Sequence, residues 1–160
     1  MALEPTVTSP DQPFEGSKIN EAVSYKLYDD KNVLIHLLPM SDDWSARRKH
    51  NEFLRGLCML SVIMEHDPKN NEFSRIERIN TVSWAIAKNP DIMAMFKFTV
   101  DRSGSDPMGR KLIEDYRSNP PVHMGKEYRD IAPVYAFMAR KDFVDEYGPD
   151  SKKARKYGIQ

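Results

Sequence analysis

A chain of 160 residues has room for one domain with tails, and 40% hydrophobic residues can build a core beneath a surface that is 30% charged. Its 24 basic and 24 acidic side chains give a formal charge of +0, so the basic excess of a dedicated nucleic-acid binder is missing and nucleic acid is not an expected partner, although a local basic patch stays open. No apolar run approaches the ~18 residues of a membrane span, the start shows no basic stretch followed by an apolar core, and the lone Cys58 cannot form an intramolecular disulfide, which points to a soluble cytoplasmic protein.

Residues 1–18 carry Pro5, Pro10 and Pro13 among Thr, Ser, Asp and Glu, the composition of a flexible arm. A single domain is expected over 19–148. It begins with a hairpin. Ala22–Tyr28 alternates, with Val23, Tyr25 and Leu27 against Ser24, Lys26 and Tyr28, the period of a half-buried strand. Asp29-Asp30-Lys31-Asn32 has turn chemistry. Val33–Pro39 is almost continuously apolar and reads as a strand covered on both faces, ended by Pro39.

Asp42, Asp43 and Ser45 all suit the N-cap of a long helix running from about Ser45 to Glu65. Phe53, Leu57, Leu60 and Met64 keep helical spacing, with Leu54, Cys58 and Ser61 widening the stripe. Arg47, Arg48, Lys49, Glu52 and Arg55 charge the outer side. Gly56, unfavourable inside a helix, implies close packing against the sheet. His66-Asp67-Pro68 stops the helix.

The stretch Arg75–Val100 reads as strand, short helix, strand. Ile76, Thr81, Val82 and Trp84 to Ile86 favour a strand, with an irregularity near Asn80. Asn89 caps a short helix with Pro90 in its first turn and Ile92, Met93, Met95 and Phe96 on its apolar side. Lys97–Val100 returns to strand. An excursion over 101–132 is either disordered or a functional lid, with helical turns at Arg110–Arg117. Pro133–Arg140 is the last strand, Lys141–Tyr147 a short helix, and 149–160 a basic, loose tail. The fold class is α+β: a mixed, mostly antiparallel twisted sheet flanked by one long and one or two short helices.

Few residues announce chemistry. His36 in its apolar strand is either a base facing a cleft or a sheet-face histidine. Asp42 and Asp43 are an acid–base pair or capping residues, Glu21 and Glu77 strand-edge bases or solvated charges. Trp44 and Trp84 line a pocket or simply pack. No His, Cys or carboxylate spacing matches a metal motif, so no metal is expected.

The order strand, strand, long helix, strand, short helix, strand, excursion, strand resembles the GCN5-related N-acetyltransferase (GNAT) superfamily in shortened, degenerate form. The residues carrying the likeness are SWAIAKNPDIMAMFKFTV, Ser83–Val100, and PVYAFMARKDFV, Pro133–Val144. The resemblance implies an acyl-CoA-dependent N-acyltransferase acting on a small-molecule amine, with acyl-CoA as the implied cofactor. Its pyrophosphate would meet the amides at the start of the long helix, with Ser45, Arg47 and Arg48 as cofactor-binding residues. The family's glycine-rich turn is absent there. Met93 falls where many members carry a proton-donating Tyr, and Lys97 falls where they carry Gly; Tyr25, Tyr28, Tyr116, Tyr128 and Tyr135 are the other phenols available. Catalytic residues stay unassigned. The alternative is a non-catalytic binding or regulatory module on the same scaffold, acting through a protein partner or a homodimer.

Overall fold

The computed structural model describes residues 16–38, 40–65, 73–83, 90–118 and 133–157. Its strands are β1 (Ser17–Lys18), β2 (Val23–Asp29), β3 (Asn32–Leu37), β4 (Arg78–Ser83), β5 (Thr99–Asp101) and β6 (Val134–Ala139). Its helices are α1 (Ala46–Glu65), α2 (Pro90–Met95), α3 (Pro107–Ser118), α4 (Arg140–Tyr147) and α5 (Lys152–Lys156). The chain is therefore α+β, with one six-stranded sheet in the order β1-β2-β3-β4-β6-β5.

Strand directions follow from the hydrogen bonds. β1–β2, β2–β3 and β5–β6 are antiparallel. The amides of Glu77 and Arg78 donate to the Lys31 carbonyl at 2.7 and 3.2 Å, so the start of β4 lies beside the start of β3 and the two run in the same direction. The Arg140 amide donates to the Glu77 carbonyl at 2.8 Å, so the end of β6 meets the start of β4 and that pair is antiparallel. One parallel step inside an otherwise antiparallel sheet needs a crossover, and the long helix α1 supplies it.

The described residues divide into two compact units, one of 17–79 with 138–157 and the other of 80–137. The first is built on the β2–β3 hairpin. Asp29 closes its turn, its Oδ1 accepting from the Lys31 amide at 2.9 Å and from Asn32 Nδ2 at 3.0 Å. Val23, Val33 and Ile35 are buried, as alternation requires, but Ser24 on the other face is buried too. His36 sits opposite Ser24 across the hairpin and is 5% exposed, the placement of a sheet-face histidine. Pro39 lies outside the described residues.

Helix α1 buries the stripe expected of it: Phe53, Leu54, Leu57, Cys58, Leu60, Ser61 and Met64. Gly56 lets the helix axis approach the hairpin, since a Cβ there would stand 2.6 Å from Val23 Cγ2. Asn20 locks the same contact, donating from Nδ2 to the Glu52 carbonyl at 2.7 Å while its Oδ1 accepts the Ala22 and Val23 amides at 3.0 Å. Arg140 ties β6 to the segment before β4, donating to the carbonyls of Phe73 and Ile76 and pairing with Glu65.

The C-terminus departs from expectation. The tail read as loose carries α5, capped by Ser151 Oγ, which accepts the Ala154 amide at 3.1 Å. Ala154 is fully buried, and Tyr157 Oη donates to Asn51 Oδ1 of α1 at 3.1 Å. A small buried residue and an anchoring phenol are too slight a pattern to stand out among five charges.

In the second unit, α2 begins at Pro90 as expected, but it buries only Met93 and Phe96; Ile92 is 43% and Met95 59% exposed. Residues three apart share a face, and 93/96 and 92/95 lie on different ones. The excursion is largely ordered up to Ser118. Asp101 Oδ2 accepts the Asp106 amide at 3.0 Å, and Asp106 Oδ1 accepts the Gly109 amide at 3.1 Å to cap α3, which opens on Pro107. Gly109 has Tyr135 Cδ2 2.4 Å from the place of a Cβ, so only glycine fits there.

Candidate functional site

The end of β3 leads into a turn that aims the first amides of α1 outward. Ser41 shapes it: its Oγ accepts the Asp43 amide at 3.2 Å and its carbonyl accepts the Trp44 amide at 3.1 Å. Ser45 is the cap, with Oγ accepting the Arg48 amide at 3.1 Å and its carbonyl accepting the Lys49 amide at 3.0 Å. Asp42 and Asp43, the other cap candidates, lie exposed in the turn. The amides of Ala46 and Arg47 point along the helix dipole with no acceptor among the described residues, and the first turn of α1 holds no acidic side chain.

Ser45, Arg47 and Arg48 thus do share one turn, with unequal roles. Arg47 is exposed. Arg48 is laid over Trp44, its guanidinium carbon 3.8 Å from the ring centroid, a cation–π contact that holds the charge beside the helix start. Trp44 is half-buried, which makes it a platform for Arg48 and not a closed pocket wall. The arrangement suits an anion: two free amides, a helix dipole and two guanidinium groups.

Of the phenols named from the sequence, Tyr25 and Tyr28 lie half-buried on β2, and Tyr116 and Tyr135 belong to the 80–137 unit. Met93 is 1% exposed, and its side chain carries no proton to donate. Tyr135 is fully buried and donates to Asn80 Oδ1 at 2.5 Å, which accounts for the buried polar residue read as a strand irregularity. Burial pushes the Tyr116 hydroxyl up to about 12, against a smaller opposing pull from its hydrogen bond with Ser83. The Tyr116 phenol therefore keeps its proton near neutrality. Asp101 is shifted the other way: the Asp106 amide, helped by Ser103 and the Ser105 and Gly104 amides, holds its carboxyl below the ordinary range and fixes the loop before α3. A surface groove of about 480 Å³ runs along α3 beside Gly104, Arg110, Ile113, Glu114, Arg117 and Ser118. The Tyr135–Asn80 and Tyr116–Ser83 pairs escape sequence reading because their partners are 55 and 33 residues apart, and no local pattern marks them.

Lys97 explains a second feature. It has φ 71°, and the Phe98 amide donates to the Met93 carbonyl at 3.0 Å while the Lys97 amide donates to the Ala94 carbonyl at 2.9 Å. This is a Schellman closure of α2, with Lys97 in the left-handed position that usually takes glycine and Phe98 packing back toward Met93. Trp84, Asn89 and Tyr128 lie outside the described residues. Among the described residues no group of His, Cys, Asp or Glu is placed to hold a metal ion, and no helix is long and apolar enough to cross a membrane. Comparison of the chain with protein-family models, with curated proteins and with solved structures finds no match.

Proposed function

We propose that this chain binds acyl-CoA and transfers the acyl group to an amine. The observation that carries the reading is the crossover: β3 ends in a capped turn, α1 leaves it with free amides at its start, and the chain returns as β4, the parallel neighbour of β3. Phosphate groups bind at such strand-to-helix junctions because orphan amides and the helix dipole converge on them. The left-handed Lys97 adds support, since the GNAT resemblance places a glycine at that point and the Schellman closure is the physical reason a glycine would be favoured there.

On this reading the Ala46 and Arg47 amides and the Arg47 and Arg48 side chains hold the pyrophosphate. The amine nitrogen attacks the thioester carbon, a strand-edge N–H stabilises the oxyanion, the C–S bond breaks and the thiolate leaves with a proton. Asp42 and Asp43 near the same turn favour binding modes that keep the pyrophosphate on the Arg47 side. Titration calorimetry and thermal shift with acetyl-CoA and longer acyl-CoAs test the proposal. Heat and a raised Tm that fall away in Arg47→Glu are expected; no heat and no shift at millimolar ligand refutes it.

Met93 favours a second reading. It is buried at the position where the resemblance expects a phenol to protonate the thiolate. A non-catalytic module on this scaffold would bind acyl-CoA or a protein partner, or pair with a second copy, without turnover. Release of free thiol from acetyl-CoA in the presence of a panel of amines distinguishes the two.

A further inference from the structure

A basic cluster late in the chain, Lys152, Arg155 and Lys156, is brought beside α1, which carries Arg55. α5 lies along α1 in the 17–79/138–157 unit. Ala154 is fully buried and Tyr157 Oη donates to Asn51 Oδ1, which seats α5 beside the first half of α1. Arg55 stands one turn from Asn51 on the same side of α1. Arg55, Lys152, Arg155 and Lys156 are all exposed, and none enters an ion pair among the described residues.

Of the acidic groups nearby, Asp150 stands exposed two residues before α5, and two others are engaged. Glu146 is paired with Lys153, and Glu52 accepts the Glu21 amide at 3.0 Å. Tyr157 follows the α5 cations, half-buried, with Lys156 Nζ 5.6 Å from its ring centroid. Neutral overall charge therefore conceals a local cationic face with an aromatic ring in it.

We propose that this α1–α5 face binds single-stranded nucleic acid. Its cations meet successive backbone phosphates and Tyr157 offers a stacking surface, the combination by which strands are held without sequence preference. A duplex fits less well, because α5 is docked along α1 and leaves no free helix to enter a major groove. An acidic peptide would use the cations and leave the ring unused. The inference does not rest on acyl-CoA binding, and none of its four cations belongs to the turn at Ser45.

Fluorescence anisotropy of the full chain with a labelled single-stranded oligothymidylate tests it. Four phosphate contacts on a single strand predict a log–log salt slope of about −3 and a loss of affinity of roughly 50-fold between 50 and 200 mM salt. The double variant Arg155→Glu/Lys156→Glu should weaken binding about tenfold or more and lower the slope by about 1.4. Arg55→Glu should weaken it from the other helix, which guards against a simple loss of α5, and circular dichroism should show all variants folded. The proposal is overturned by no binding at the lowest salt, by binding that survives both variants, or by a polyglutamate peptide competing as well as the oligonucleotide.

Discussion

Replacing Gly56 by Ala tests how α1 is seated on the hairpin. In an isolated helix the change stabilises by about 1 kcal/mol, because glycine has more backbone freedom to lose. Here the new Cβ would stand 2.6 Å from Val23 Cγ2 and 3.0 Å from both Val23 Cβ and Asn20 Oδ1. Carbon atoms rest at about 3.5–4.0 Å, so the space is short by about 1 Å. Val23 has no room to turn: it is β-branched, stiff about χ1 and fully buried. Asn20 cannot yield cheaply either, since it holds the Glu52 carbonyl and the Ala22 and Val23 amides.

Overpacking of this kind costs about 1–3 kcal/mol, and each hydrogen bond of Asn20 that is stretched adds about 1 kcal/mol. With one Asn20 bond stretched and the helical gain subtracted, Gly56→Ala should destabilise by about 1–3 kcal/mol. Urea unfolding followed by far-ultraviolet circular dichroism measures it as a lower midpoint at unchanged slope. A Tm lower by about 2–4 °C per kcal/mol should accompany it. The double variant Val23→Ala/Gly56→Ala removes the clashing methyl, so its loss should be smaller than the sum of the two single losses. A Gly56→Ala protein as stable as the parent, or strictly additive effects, would show that helix and hairpin are not in the contact described.

Three further outcomes follow from other parts of the molecule. Tyr135→Phe leaves the buried Asn80 carbonyl oxygen without its 2.5 Å donor and should cost about 1–3 kcal/mol in a chemical melt; an unchanged midpoint would show that the pair is not formed. Lys97→Gly relieves a left-handed residue, and the gain of about 1–2 kcal/mol, less the added freedom of the unfolded chain, should leave the protein about 0.5–1 kcal/mol more stable. Burial pushes the Cys58 thiol up to about 11 and the Tyr116 hydroxyl to about 12. Both groups then hold their protons longer folded than unfolded. Their contribution to stability should be flat below about pH 8.5 and fall as pH rises through 9 toward 11. Cys58→Ala should flatten the first part of that fall, and the thiol should react with a disulfide reagent at pH 8 only after unfolding.

The elements of this fold were legible in the sequence wherever local chemistry is decisive. The strand over Val23–Tyr28, the Asp29–Asn32 turn, the Ser45 cap, the apolar stripe of α1 and the proline at the start of α2 all arise from interactions within a few residues, and the structure repeats each of them, although burial along that strand does not alternate, with Val23 and Ser24 both buried and Tyr25–Tyr28 half-buried. Gly56 was legible as well, because a glycine inside a strong helix has few uses other than close approach. α2 shows the limit of pattern reading. The angular step of the helix pairs Met93 with Phe96 and Ile92 with Met95, but only the tertiary structure says that the first pair goes in while the second stays out.

What the tertiary structure alone decided is what meets at a distance. The sheet order β1-β2-β3-β4-β6-β5 and the parallel β3–β4 step depend on the Lys31–Glu77 hydrogen bond, between residues with no common local signal. The turn at Ser45, Arg47 and Arg48 is visible in sequence as a cap with two cations; that Arg48 is held over Trp44 while Arg47 stays exposed is a matter of packing. The tail looked free because solvated charge is the ordinary fate of Lys152–Lys156. One buried methyl at Ala154 and one phenol at Tyr157 outweigh that tendency once α1 offers Asn51 and an apolar surface to receive them. Local interactions set where strands and helices begin and end, and long-range burial set which charged faces came to stand side by side.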